Sequence, residues 1–158
     1  LEQRITAISA RAAGAASRPR VVTVDWLEPI MLGGTWMPDL VALAGGEPVG
    51  VTEGGAAPTV TAEAFAALAP EVVLVKPCGF SLARTLGEPE ALARAVPSAL
   101  RDTARIYVTD GNAFFNRPGP RLVESLEILA ACLHPALFPD FAEKHASVLV
   151  RLDGLAGD

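Results

Sequence analysis

The run Glu71-Val-Val-Leu-Val-Lys-Pro-Cys-Gly-Phe80 decides the fold. Val72 to Val75 are apolar on both sides of a two-residue repeat, so the strand they form must be covered on both faces. Such a strand belongs inside a parallel sheet between helical layers. The neighbouring residues agree. Upstream, Thr61 is an N-cap for a helix carrying Phe65 and Leu68, which Pro70 ends before the strand begins. Downstream, the Pro-Cys-Gly-Phe turn leads to Ser81, which can cap a helix through Leu82 and Leu86. Gly87 and Pro89 break that helix, and its second piece ends near Pro97.

The same alternation continues outward. Val21 to Val24 is a β-branched run ending at Asp25, and a helix over about Pro38 to Ala44 is stopped by Gly45-Gly46. A short strand fits around Val49 to Val51, followed by a loop from Gly54 to Pro58. Arg105 to Thr109 reads as another strand, and Pro120 sits in the first turn of a helix with a core stripe of Leu122, Leu126, Leu129 and Leu133. His134-Pro135 stops that helix, and Pro135 to Asp158 carries weaker helical signals. The expected architecture is α/β, a three-layer sandwich with a short, mostly parallel sheet flanked by helices.

Composition bounds what such a domain can do. At 158 residues, 51% hydrophobic and 20% charged, the chain can bury its own core as one domain. A net charge of −5 with no basic stripe removes the electrostatic basis for non-specific nucleic-acid binding. No apolar run approaches the roughly 20 residues of a membrane-spanning helix, and no charged and then apolar leader opens the chain. The chain starts at Leu1, and Leu1, Ile5, Ile8 and Ala12 share one helical face. It is therefore expected to enter partway along a helix, with a signal peptide or lipid anchor lying upstream. Cys78 in a strand-end turn and Cys132 in a helix are expected to be free thiols.

Open α/β sheets bind ligands beyond the carboxyl ends of their strands. Four segments of unusual composition fall there: Asp25-Trp-Leu-Glu-Pro29, Gly33-Gly-Thr-Trp-Met-Pro38, Lys76-Pro-Cys-Gly-Phe80 and the long loop from Asp110 to Arg121. Trp26, Trp36, Phe80, Phe114 and Phe115 supply broad flat surface, and Arg117 a polar anchor. Isolated tryptophans are usually half-buried core, but the placement of these two at loop edges favours a pocket. Phe114 and Phe115 are adjacent and point opposite ways in an extended loop, so one of them, Phe114, is expected to face a ligand. Arg121 is expected to satisfy acids or backbone carbonyls. Asp25, Glu28 and Asp110 are candidate pocket acids, although acids at strand ends often cap helices. Cys78 invites an enzyme reading, since a thiol beside a helix N-terminus can be activated. It lacks a base, because His134 and His145 lie far along the chain, and no phosphate-loop, nucleophile-elbow or His/Cys metal pattern is present.

Several stretches together resemble one family. Arg20-Val-Val, the Pro29 to Gly34 loop, Leu43-Ala-Gly-Gly-Glu47, Val60-Thr-Ala-Glu63 through Ala69-Pro-Glu-Val-Val73, and Phe114-Phe-Asn-Arg-Pro-Gly-Pro-Arg121 are similar in order and spacing to the substrate-binding proteins of bacterial cobalamin importers. That family sits in a wider group that also binds haem and siderophores. The resemblance runs from about Leu1 to Phe138 and is to the C-terminal lobe of a two-lobed protein whose lobes are joined by a long helix. It implies that residues 1–19 are the end of that helix and a linker, that 20–138 are the ligand-binding lobe, and that 139–158 are a weakly helical tail.

The resemblance further implies a corrinoid such as cobalamin held between the lobes, with no catalytic cofactor and no chemistry. Delivery would be to the permease of an ABC importer, outside the cytoplasm, with only peripheral contact to the membrane complex. Carried onto this sequence, it makes Met31 an apolar contact, Ala113 to Arg117 the loop against the corrin, and Arg117 the pocket arginine. Together with the aromatic residues, the expected ligand set is Trp26, Met31, Trp36, Phe80, Phe114 and Arg117. Glu63 would be the carboxylate that docks on permease arginines, although an acid in a first helical turn is also stabilised by the helix dipole alone. The chain departs from the family pattern at Ala57, where a pocket tryptophan stands, and at Ala113, where an aspartate stands. Haem or siderophore binding within the same group, and a small α/β enzyme using Cys78, are the alternatives.

Overall fold

A computed structural model describes residues 1–152. The elements follow in the order α1 (Glu2–Ala13), β1 (Arg20–Trp26), β2 (Ile30–Leu32), α2 (Met37–Leu43), β3 (Glu47–Pro48), β4 (Thr59–Val60), α3 (Ala62–Ala67) and β5 (Val72–Val75). After these come α4 (Leu82–Leu86), α5 (Pro89–Ala95), β6 (Arg105–Thr109), α6 (Leu122–Leu133), α7 (Pro139–Lys144) and β7 (Leu149–Leu152). One mixed sheet contains all seven strands, ordered β4-β2-β1-β5-β6-β7, with β3 beside β1. The centre, β1-β5-β6, is parallel, and the flanks are antiparallel.

β5 is central and buried at every position, as its composition requires. Val72 and Leu74 enter a core shared with α1, α2 and α6, while Val73 and Val75 enter a second core with Phe65, Leu92 and Leu100. Two faces and two cores give three layers. Local signals set the helix ends. Thr61 accepts from the Ala64 amide at 3.1 Å to start α3, and Ser81 accepts from the Arg84 amide at 3.2 Å to start α4. Gly45, at φ +84°, ends α2 in the left-handed conformation that a side chain would resist. Pro89 divides α4 from α5.

The differences from expectation lie at the margins. The Pro29 to Gly34 segment contributes β2, which folds back on β1 and carries β4 on its other side. Strands of three and two residues are too short for periodicity to mark them. The strand expected at Val49 to Val51 forms two residues earlier, because Gly50 at φ +75° turns the chain away. Val49 still donates to the Val21 carbonyl at 3.1 Å. Helix α6 opens at Leu122, two residues after Pro120. Beyond residue 138, α7 is followed by β7, which pairs antiparallel with β6 and finishes that edge of the sheet. Residues 153–158 of the expected tail lie outside those described.

α6 is buried almost all the way round, and with it Glu127, whose side chain is 4% exposed. Three side chains meet this carboxylate: Arg4 of α1 at 2.6 Å, Lys144 of α7 at 2.7 Å and His145 at 2.8 Å. Burial alone would raise the Glu127 carboxyl, but hydrogen bonds from Lys144, His145 and Arg4 outweigh it and hold it below its ordinary value. A carboxyl depressed in the folded state contributes stability that is present above its unfolded pKa and lost as pH falls through the folded one. Glu127→Gln should therefore lower stability at neutral pH by about 1–3 kcal/mol, since Arg4 and Lys144 can return to water while His145 is left inside. Urea unfolding at a series of pH values checks this: the gap between wild type and variant should close in acid, and a gap independent of pH contradicts it.

Candidate ligand-binding face

In-register pairing of Val24 with Val75, and of Val75 with Val108, aligns the carboxyl ends of β1, β5 and β6. The next residue of β1 is Asp25 and the next after β5 is Lys76, so the two sit side by side. Lys76 is completely buried. Its ammonium donates to Asp25 Oδ1 and, at 3.2 Å, to Asn116 Oδ1, and it lies 5.6 Å from the centre of the Phe115 ring. Burial pushes the Lys76 pKa down, and the negative charge of Asp25 opposes that shift without cancelling it. Asn116 holds the other end: its Nδ2 donates to the Lys76 carbonyl at 3.3 Å and to the Gly111 carbonyl at 2.6 Å.

These contacts fix the loop that follows β6. Asp110 Oδ1 accepts from the amides of Asn112 and Ala113, starting a tight turn. Gly111 then passes so close to β5 that a Cβ there would meet the Pro77 carbonyl at 2.1 Å. Phe115 is buried at φ +69°, its amide donating to Ser125 Oγ at 2.9 Å and its carbonyl accepting from Trp36 Nε1 at 2.8 Å. Thr35, beside Trp36, is also left-handed at φ 54°. Left-handed non-glycine residues persist only where surroundings over-determine them, and such strain concentrates at functional sites.

Three hollows open along this edge. One of about 190 Å³ lies between Asp25, Trp36, Cys78, Phe115 and Asn116. A larger one of about 410 Å³ shares Phe115 and is walled by Asn112, Ala113, Arg117 and Arg121. The third, about 240 Å³, is lined by Trp26, Pro77 and Phe80 and framed by Glu28 and Arg94, which pair at 3.5 Å. Pro77 and Cys78, adjacent in the chain, separate the first hollow from the third. Arg117 is exposed and forms no ion pair among the described residues, while Arg121 reaches only the Ala113 carbonyl at 3.4 Å. The second hollow thus presents guanidinium charge that pairs with no acid among the described residues.

The residues expected at a site are divided by this geometry. Trp26 and Phe80 meet edge to face, 5.2 Å between centroids, with Arg84 stacked 3.8 Å above Phe80. Trp36 and Arg117 join through Phe115 and its loop. Phe114 instead packs beside the core, its ring 6.2 Å from that of His145, and walls none of the three hollows. Met31 is half-buried in β2, across from Trp26, and also walls none of them. Glu63 is exposed in the first turn of α3 and has no ion pair among the described residues. Cys78 is exposed and shares the first hollow with Asp25. The histidines are engaged elsewhere, His134 with the Gly45 carbonyl and His145 with Glu127.

Lys76 and Asn116 carry roles that the sequence reading did not give them. A signal for Lys76 existed: a lysine directly after a strand buried on both faces has no path to water and needs an acid at a neighbouring strand end. Asn116 carried none, because the Lys76 ammonium and the Lys76 and Gly111 carbonyls that it binds are brought to it only by the folded loop.

No protein-family model matches the chain, and no curated protein sequence does. Solved structures do. The chain is similar to a periplasmic heme binding protein from Pseudomonas aeruginosa, with TM-score 0.62 and 25% identity over 85% of this chain and 50% of that one. It is similar to an ABC transporter substrate-binding protein from Listeria monocytogenes, with TM-score 0.70 and 19% identity over 85% of this chain and 54% of that one. It is also similar to the periplasmic vitamin B12 binding protein of Vibrio cholerae, with TM-score 0.62 and 18% identity over 85% and 51%. The chain spans about half the length of these structures, and its fold is that of one lobe of a periplasmic binding protein.

The two thiols should differ sharply in reactivity. Burial pushes the Cys132 thiol far above its ordinary range, whereas Cys78 is open to solvent. Iodoacetamide should modify Cys78 alone in the native state and both cysteines in denaturant, read by intact mass. Modification of Cys132 without unfolding contradicts the packing of α6.

Proposed function

We propose that this chain is one lobe of the substrate-binding component of an ABC importer, and that its strand-end face covers one side of a large flat tetrapyrrole. The observation that carries the reading is the row of three adjoining hollows edged by the part-exposed rings of Trp26 and Trp36 beside Phe80, with Arg117 and Arg121 at one end and no ion pair to either among the described residues. Aromatic faces give area to a planar ligand, and guanidinium groups give it orientation. On this reading the mechanism is binding and delivery, without chemistry on the ligand. By the same reading the protein works outside the cytoplasm and Glu63 docks on the permease.

A corrinoid is the ligand that the sequence resemblance implies. Haem is the second reading, and a specific observation favours it: a porphyrin carries propionate carboxylates to meet Arg117 and Arg121, while the corrin rim of cobalamin carries mainly neutral amides. The similarity to a heme binding protein at 25% identity supports the same choice. Siderophore binding stands behind both.

Calorimetric titration of haemin, cyanocobalamin and cobinamide into the protein in its full natural length separates these ligands. Selective binding of one tetrapyrrole is expected, weakened about 10- to 100-fold by Arg117→Ala, as for loss of a charged hydrogen bond. Binding of none of the three discards the tetrapyrrole. For Glu63, the Glu63→Lys variant should bind ligand normally and support poor uptake in cells that carry the cognate permease. Normal uptake removes the docking role and leaves helix-dipole stabilisation as the sole account of that residue.

A further inference from the structure

We infer that Lys76, sealed away from any ligand, is the positioning residue of the candidate site: its buried ammonium keeps the loop from Asp110 to Arg117 assembled before ligand arrives. This inference rests on the proposed binding role of the face. Lys76 is 0% exposed, so it cannot touch a ligand in this conformation. It is not needed to join β1 to β5 either, since those strands already pair through an in-register ladder. What its side chain adds is the connection from two strand ends to the loop, through Asp25 on one side and Asn116 on the other. Arg117 follows Asn116 directly, and Phe115 precedes it with its backbone held left-handed. The walls of the first two hollows therefore hang from the residues that Lys76 holds.

A buried charge is maintained only while its partners stay in place. The loop therefore has two distinct conditions, docked with the ammonium satisfied or released with Lys76 exposed to water, and the pair of acceptors strongly favours the first. A methionine at this position fills similar volume but offers Asp25 and Asn116 no donor. In that variant the left-handed Phe115 loses one of its restraints and the released loop becomes populated. Apparent affinity then falls in proportion to the docked fraction, with no ligand contact removed.

The test is hydrogen exchange by mass spectrometry on Lys76→Met and wild type, both ligand-free and at full natural length, paired with titration of haemin and cyanocobalamin. The expected result is an exchange rate about tenfold higher across residues 110–117, with β5 and β6 protected as in wild type, and affinity for the bound tetrapyrrole reduced about tenfold. A protein damaged only in overall stability would lose protection in the strands as well. If Lys76→Met does not fold, Lys76→Gln removes the charge and shortens the reach to Asp25 and Asn116, leaves the walls of the hollows unchanged, and is read the same way. A loop as protected in the variants as in wild type overturns the inference, and so does a released loop with unchanged affinity. A wild type that binds neither tetrapyrrole sinks the parent reading instead, while the exchange arm, which uses no ligand, still decides whether Lys76 holds the loop.

Discussion

The ion pair between Lys76 and Asp25 is the constraint on which the candidate face depends. An ammonium fully enclosed by protein is tolerated only with charge and hydrogen-bond partners on it, and removing one partner of such a pair typically costs about 3–5 kcal/mol. Here the partners come from the end of β1 and from the loop after β6, so the strand register and the loop conformation must both be right for Lys76 to be satisfied. The pair converts a sheet, which specifies only where strand ends lie, into a shaped surface. Gly111 allows the close approach, Asn116 bridges side chain and main chain, and Trp36 reaches across from the start of α2 to hold the Phe115 carbonyl.

A second buried charge, Glu127, organises the opposite part of the molecule. It draws α1 and α7 onto α6 through Arg4, Lys144 and His145, so the first helix is tied to the lobe by a salt bridge as well as by Ile8 and Ala12. The two buried charges differ in consequence. The two cations on Glu127, Arg4 and Lys144, are about half exposed and can rehydrate, whereas Lys76 has no exposed route. The Glu127 cluster sets how firmly α1 and α7 attach, and the Lys76 cluster sets the shape of the face.

Much of the central architecture was legible in the sequence because its signals are local. The apolar run of Val72 to Val75 gave its own burial on two faces, and Thr61, Ser81, Gly45 and Pro89 punctuate helices by chemistry that acts within a turn. β2, β4 and β7 were not legible: they are short, lie toward the sheet edges and exist by pairing with distant strands, which leaves little periodicity to read. At the face, the grouping of Trp26 with Phe80 could be anticipated from strand ends, but the orientation of Phe114 could not. Phe115, left-handed in its backbone, is enclosed in the core, and the part-buried Phe114 meets His145. Asn116 binds main-chain carbonyls, and sequence carries no mark of those.

Both tryptophans of this chain, Trp26 and Trp36, lie on the candidate face, which gives its proposed role a direct reporter. Tetrapyrroles absorb at tryptophan emission wavelengths, so fluorescence titration of the protein at full natural length with haemin and with cyanocobalamin, on wild type, Trp26→Phe, Trp36→Phe and Arg117→Ala, tests the account most directly. The account predicts saturable quenching by one of them, carried by both tryptophans and weakened in Arg117→Ala. Quenching that rises linearly without saturation, or that is indifferent to Arg117, contradicts it.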